Sequence, residues 1–83
     1  MKFKAEIDVM PLQELLDPQG KAVMLGLKNL DVHSTDVRIG KHISIEIEAG
    51  SKEEADTKIQ AACQKLLANP IMEGFSYQLS ELS

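Results

Sequence analysis

The sequence predicts an α+β fold, in the order strand, helix, bent strand (or two strands), helix, strand. Its two helices lie on one face of a mainly antiparallel sheet, as in a sandwich. Three observations predict this. Residues 2–10, 37–49 and 75–80 alternate apolar and polar side chains, the period of a half-buried strand. Between them, two stretches carry apolar residues three and four apart behind good helix caps. Pro11, Gly50 and Asn69-Pro70 punctuate the runs.

In the first strand Phe3, Ala5, Ile7 and Val9 share one face, and Lys2, Lys4, Glu6 and Asp8 share the other. Pro11 ends the strand because it has no N–H to give to a ladder. Asp17 is a good N-cap, and Pro18 suits the first helical position, where a missing N–H costs nothing. The first helix then runs to about Leu30, with Val23, Leu27 and Leu30 as its apolar stripe and Ala22 and Gly26 beside it. Asp31 follows as a residue that tolerates a left-handed cap.

The stretch Val37–Ala49 reads as the spine of the sheet. Val37, Ile39, Ile43, Ile45 and Ile47 fall on one face; Arg38, His42, Ser44, Glu46 and Glu48 fall on the other. Fully extended it would span about 43 Å, long beside a radius of gyration of roughly 12 Å expected for such a chain. Either it bends at Gly40, where a bulge is cheap, or it reaches a neighbouring subunit. Ser51-Lys52-Glu53-Glu54 is a capping box. Ala55, Ile59, Ala62, Cys63, Leu66 and Leu67 continue it at helical spacing up to the stop at Asn69-Pro70. Phe75, Tyr77 and Leu79 alternate with Ser76, Gln78 and Ser80 in a last strand, expected at an edge or between subunits.

A chain of 83 residues is one domain, residues 1–83. It buries only about 60–65% of its unfolded surface, so association with other copies is expected. The net charge of −4 argues against a nucleic-acid partner, which would need a basic footprint. No apolar run is long enough to span a membrane. Met1-Lys2-Phe3-Lys4-Ala5-Glu6 reads as a strand rather than a targeting signal, and the single cysteine suits a reducing compartment. A cytoplasmic location is expected.

The search for catalytic chemistry yields bland readings. Cys63 falls on the apolar stripe of the second helix and reads as a small core residue rather than a nucleophile. His33 and His42 have no partner at metal-ligand spacing and read as surface residues. Glu46 and Glu48 read as a solvated strand face. Gly40-Lys41 with Arg38 reads as a bulge and an edge lysine rather than an anion site. There is no glycine-rich phosphate loop and no Ser/His/Asp set.

Three motifs go further. Leu16-Asp17-Pro18-Gln19-Gly20-Lys21-Ala22, Val37-Arg38-Ile39-Gly40-Lys41 and Lys65-Leu66-Leu67-Ala68-Asn69-Pro70-Ile71-Met72-Glu73 occur in this order. Together, over nearly the whole chain, they resemble the PurS family, small subunits of phosphoribosylformylglycinamidine synthase. The chain departs from the family pattern at Pro11-Leu12-Gln13, Asp31 and Pro70. The resemblance implies a non-catalytic subunit, a homodimer or homotetramer, that assembles a large synthetase subunit with a glutaminase subunit and supports ammonia transfer. The complex makes formylglycinamidine ribonucleotide in de novo purine biosynthesis. It implies no cofactor on this chain, with ATP and Mg²⁺ used by the synthetase. Carried over from the motifs, the interface residues would be Asp17, Pro18, Gln19, Gly20, Arg38, Gly40, Lys41, Asn69 and Glu73, with no catalytic or metal-binding residue. The alternative is a ferredoxin-like regulatory module that binds a small molecule, which rests on fold analogy alone.

Overall fold

A computed structural model describes residues 1–13 and 15–82. The elements are β1 (Lys2–Pro11), α1 (Pro18–Asn29), β2 (Lys41–Glu48), α2 (Lys52–Ala62) and β3 (Glu73–Leu82). The sheet order is β2-β1-β3, and both pairings are antiparallel. The expected α+β class and element order are borne out.

The alternation in β1 sets the core. Phe3, Ala5, Ile7 and Val9 are all fully buried. Against Ala5, Ile7 and Val9 pack Ile59, Cys63 and Ala68, rimmed by Ile43, Ile45, Ile47, Leu67, Phe75, Tyr77 and Leu79. Phe3, Ala49 and Ala55 form a second small cluster. The central strand is therefore β1, whereas β2, expected as the spine, is an edge. Its Ile43, Ile45 and Ile47 are only half-buried. Nor does a strand cover Val37–Ala49. β2 is one strand that starts directly after Gly40, and Val37–Gly40 form a connection without strand pairing.

α2 begins as its capping box dictates. Ser51 Oγ accepts from the Glu54 N–H at 3.1 Å. The Glu54 carboxylate reaches back one residue further than expected and accepts from the Gly50 N–H at 2.6 Å. That bond is the first cause of its lowered pKa, with Lys58 adding to it. After Ala62 the helix widens into a single π turn, Cys63–Leu67, and Ala68 is extended. The wider turn keeps Cys63 fully buried while Leu66, expected on the buried stripe, is 80% exposed. Tyr77 stacks near Phe75 at 6.4 Å between ring centroids and donates to Asp56 at 2.6 Å. That carboxylate pushes the Tyr77 hydroxyl up to about 12.

α1 behaves differently. It is capped as predicted, and Asp31 takes the left-handed conformation, φ 66°, just beyond its end. Yet only Gly20 of α1 is buried. Of the stripe expected to face the core, Val23 is 42% and Leu30 74% exposed, while Leu27 is half-buried. The radius of gyration, 16.3 Å, exceeds the roughly 12 Å of a compact chain of this length. The overall extents are 50 × 28 × 14 Å, an elongated body with α1 standing largely apart from the sheet.

Candidate assembly site

The three motif stretches meet at one end of the sheet, around the end of β1. Asp17 is the pivot. Its Oδ1 accepts from the Gly20 N–H at 3.0 Å, closing the first turn of α1. Its Oδ2 accepts from the Ile39 N–H at 2.8 Å, tying that turn to the segment entering β2. These two backbone donors, with the nearby Arg38 charge, hold the carboxyl below its usual range.

Arg38 does not join the polar sheet face, where alternation placed it. Because Val37–Gly40 is not a strand, its guanidinium turns to the connection after β1. It donates to the carbonyls of Leu12 at 2.5 Å, Pro11 at 3.3 Å, Gln13 at 3.4 Å and Leu15 at 3.5 Å. A planar fork with five donors suits such a row of carbonyls.

Two glycines let the backbones close on this joint. A Cβ on Gly20 would lie 2.1 Å from the Val37 carbonyl oxygen and 2.8 Å from Asp17 Oδ2. A Cβ on Gly40 would lie 2.2 Å from Met10 Sδ and 2.4 Å from the Val9 carbonyl oxygen. Gly40 thus marks a close approach to the end of β1 rather than a bulge inside β2. Gly26 has nothing within 4 Å of such a Cβ.

The third motif closes on the same place. Asn69 and Glu73 exchange two bonds, Asn69 N–H to Glu73 Oε1 and Glu73 N–H to the Asn69 carbonyl, both at 2.8 Å. Asn69 Oδ1 also accepts from the Ile71 N–H at 3.0 Å. The Leu12 N–H donates to the Met72 carbonyl at 3.0 Å, while the Leu12 carbonyl receives Arg38. Leu12 therefore links the turn to the joint. Pro18, Gln19 and Lys41 remain exposed at its surface, and Leu16, Ile71 and Met72 are exposed apolar neighbours.

A second polar cluster escaped the sequence. His42, read there as an isolated surface residue, lies between two carboxylates, with Nδ1 2.7 Å from Asp8 Oδ1 and Nε2 2.5 Å from Glu6 Oε2. Asp8 and Glu6, in that order, raise its pKa, which favours an imidazolium donating through both nitrogens. Glu6, also bonded by Lys4 at 3.2 Å and Ser44 at 3.2 Å, is lowered, with His42 the leading cause. The signal that would have found the cluster is register, which pairs Asp8 with His42 and Glu6 with Ser44. Among the described residues no group of three His, Cys, Asp or Glu is placed to hold a metal ion, and no helix is long and apolar enough to cross a membrane. Cys63 is fully buried and its thiol is pushed up by burial, the opposite of an activated nucleophile.

The family model of phosphoribosylformylglycinamidine (FGAM) synthase PurS matches residues 4–81. The chain belongs to the PurS family. Among curated relatives, the PurS subunit of this synthase from Bacillus subtilis is 36% identical over 96% of this chain and 95% of its own length. The PurS subunit from Thermotoga maritima is 39% identical over 96% of each. Among solved structures, PurS from Thermus thermophilus superposes with a TM-score of 0.89 at 37% identity, covering 100% of both chains. A chain of the PurLQS structure from Thermotoga maritima gives 0.88 at 32% identity, covering 96% of this chain and 99% of that one. The joint and turn described above are thus built by residues of a PurS-family chain along its whole matched length.

Proposed function

We propose that this chain is the non-catalytic small subunit of phosphoribosylformylglycinamidine synthase. It assembles the synthetase and glutaminase subunits and supports transfer of ammonia between them, in de novo purine biosynthesis in the cytoplasm. In this reading the glutaminase releases ammonia from glutamine. The synthetase, using ATP and Mg²⁺, activates the substrate amide and adds that ammonia, converting formylglycinamide ribonucleotide to formylglycinamidine ribonucleotide. The chain itself binds no cofactor.

The observation that carries the reading is α1. A PurS-family chain leaves Val23 and Leu25 of a capped twelve-residue helix, and Leu30 just beyond it, exposed to solvent, and uncovered apolar surface of this kind marks a contact with protein. The elongated body and the open edges of a three-stranded sheet further support a homodimer or homotetramer. An adaptor also answers a chemical need, because ammonia released into water at neutral pH is protonated and lost.

The test is product formation by the synthetase and glutaminase subunits with and without this chain, fed first with glutamine and then with ammonium salt. The chain is expected to be needed for the glutamine-fed reaction and dispensable for the ammonia-fed one. Equal glutamine-fed rates with and without it would overturn the reading.

A further inference from the structure

The direction in which α1 points owes little to packing along its length, where only Gly20 at its first turn is buried and Met24 and Leu27 are half-buried. It is set at one end. Asp17 ties the first turn to Ile39. Arg38 ties the same segment to the carbonyls that lead from β1 toward α1. Gly20 and Gly40 bring the backbones within reach of both ties. At the far end the backbone bonds of Leu30, Asp31 and Val32 return to Leu27 and Lys28 of α1 itself.

Both carboxylate oxygens of Asp17 and both terminal nitrogens of Arg38 are spent inside the chain. Side chains so engaged are poor contacts for another subunit but good determinants of geometry. We propose that Asp17 and Arg38 are positioning residues that set the angle of the α1 arm against the sheet, and that this angle is what couples glutamine hydrolysis to amination. The second half rests on the assembly reading above. The motif residues of the joint then serve the complex through the arm they aim.

Two conservative variants separate the tie from the fold. Asp17→Asn keeps an oxygen to cap α1 but turns an amide N–H₂, a donor, toward the Ile39 N–H. Arg38→Lys keeps the charge, but a single ammonium cannot span the carbonyls from Pro11 to Leu15. Gln60→Ala, an exposed change on α2 away from the joint, is the control. Spin labels at Lys28→Cys on α1 and Ser80→Cys on β3, diluted with unlabelled chain, report the distance from arm to sheet by pulsed dipolar spectroscopy. The same variants without labels enter the glutamine-fed and ammonia-fed assays of the full complex.

The unvaried chain and Gln60→Ala are expected to give one narrow distance distribution. Both tie variants should broaden or shift it, with the glutamine-fed rate falling about tenfold, as misplacement of coupled sites does, and the ammonia-fed rate unchanged. Three results overturn the proposal. They are an unchanged distance distribution in both tie variants, a loosened arm with full glutamine-fed activity, and loss of the cooperative melting of the sheet in both, which would make the joint part of the core. If the unvaried chain fails to raise the glutamine-fed rate, the assembly reading falls, and the distance distribution still decides whether the joint aims the arm.

Discussion

Gly20 and Gly26 lie on the same helix, and the structure assigns opposite outcomes to the same substitution. Alanine is favoured over glycine in a helix interior by about 1 kcal/mol. At Gly26 nothing lies within 4 Å of the new Cβ, so the whole gain is expected. At Gly20 the Cβ would sit 2.1 Å from the Val37 carbonyl oxygen, while carbon and oxygen ordinarily approach no closer than about 3.3 Å. The backbones must part by over an ångström, and the obstacle is main chain tied through Ile39 and Arg38 rather than a side chain free to rotate. Overpacking of this kind costs about 1–3 kcal/mol. With the main chain unable to yield, the upper part of that range applies, leaving Gly20→Ala destabilised by about 1–2 kcal/mol after the helix gain. The two variants should differ by about 2–3 kcal/mol, or roughly 10–20 °C in melting temperature. The assay is thermal unfolding by circular dichroism at equal protomer concentration, since association shifts melting. A Gly20→Ala chain that melts at or above the unvaried one would refute the close approach and the joint built on it.

Three further outcomes are expected. His42, raised by Asp8 and Glu6, adds stability that is fully present below about pH 6.5 and fades as pH rises through its higher folded value. Glu6, lowered by His42 and Lys4, adds stability that is present above its ordinary range and fades as pH falls through its folded value. A proton NMR titration that places His42 at or below its ordinary value would show that the two carboxylates do not hold it. Ile59→Ala, at a residue 2% exposed, should cost about 2–5 kcal/mol in denaturant unfolding; a loss below 1 kcal/mol would mean that α2 does not seal the core. Cys63→Ser, which buries a hydroxyl among Ile7, Val9 and Ile59, should cost about 1–3 kcal/mol and leave the glutamine-fed rate of the complex unaltered; full stability with lost activity would return Cys63 to chemistry.

The faces of the strands are legible in the sequence because a strand has a period of two and nothing else can produce it. Phe3, Ala5, Ile7 and Val9 fall where alternation puts them, and Asp17, Ser51 and Asp31 do what their chemistry favours. What alternation does not carry is the order of the strands. β2 alternates as cleanly as β1, so its length and regularity suggest a spine. The difference between them is that β1 lies between two neighbours and β2 has one, a fact of pairing that no single segment records. The Glu6–His42–Asp8 cluster is hidden for the same reason, since its members come together only through register.

The joint is illegible for a deeper reason. Its partners are main-chain atoms, the carbonyls of Val9, Pro11, Leu12, Gln13, Leu15 and Val37 and the N–H groups of Gly20 and Ile39, and every residue type supplies those. The only traces left in the sequence are the two glycines where a Cβ has no room and the one acid and one guanidinium that bridge the gaps. Such residues read as a motif without a visible task. The apolar stripe of α1 poses the converse problem, because it looks the same whether its own core or another chain covers it. Val23 and Leu30, exposed here, show that it is not this core. The two puzzles then resolve together. In a subunit whose work is assembly, the residues that touch a partner need only be apolar and rightly placed, and many side chains meet that demand. The placing falls to Asp17, Gly20, Arg38 and Gly40, where few side chains can.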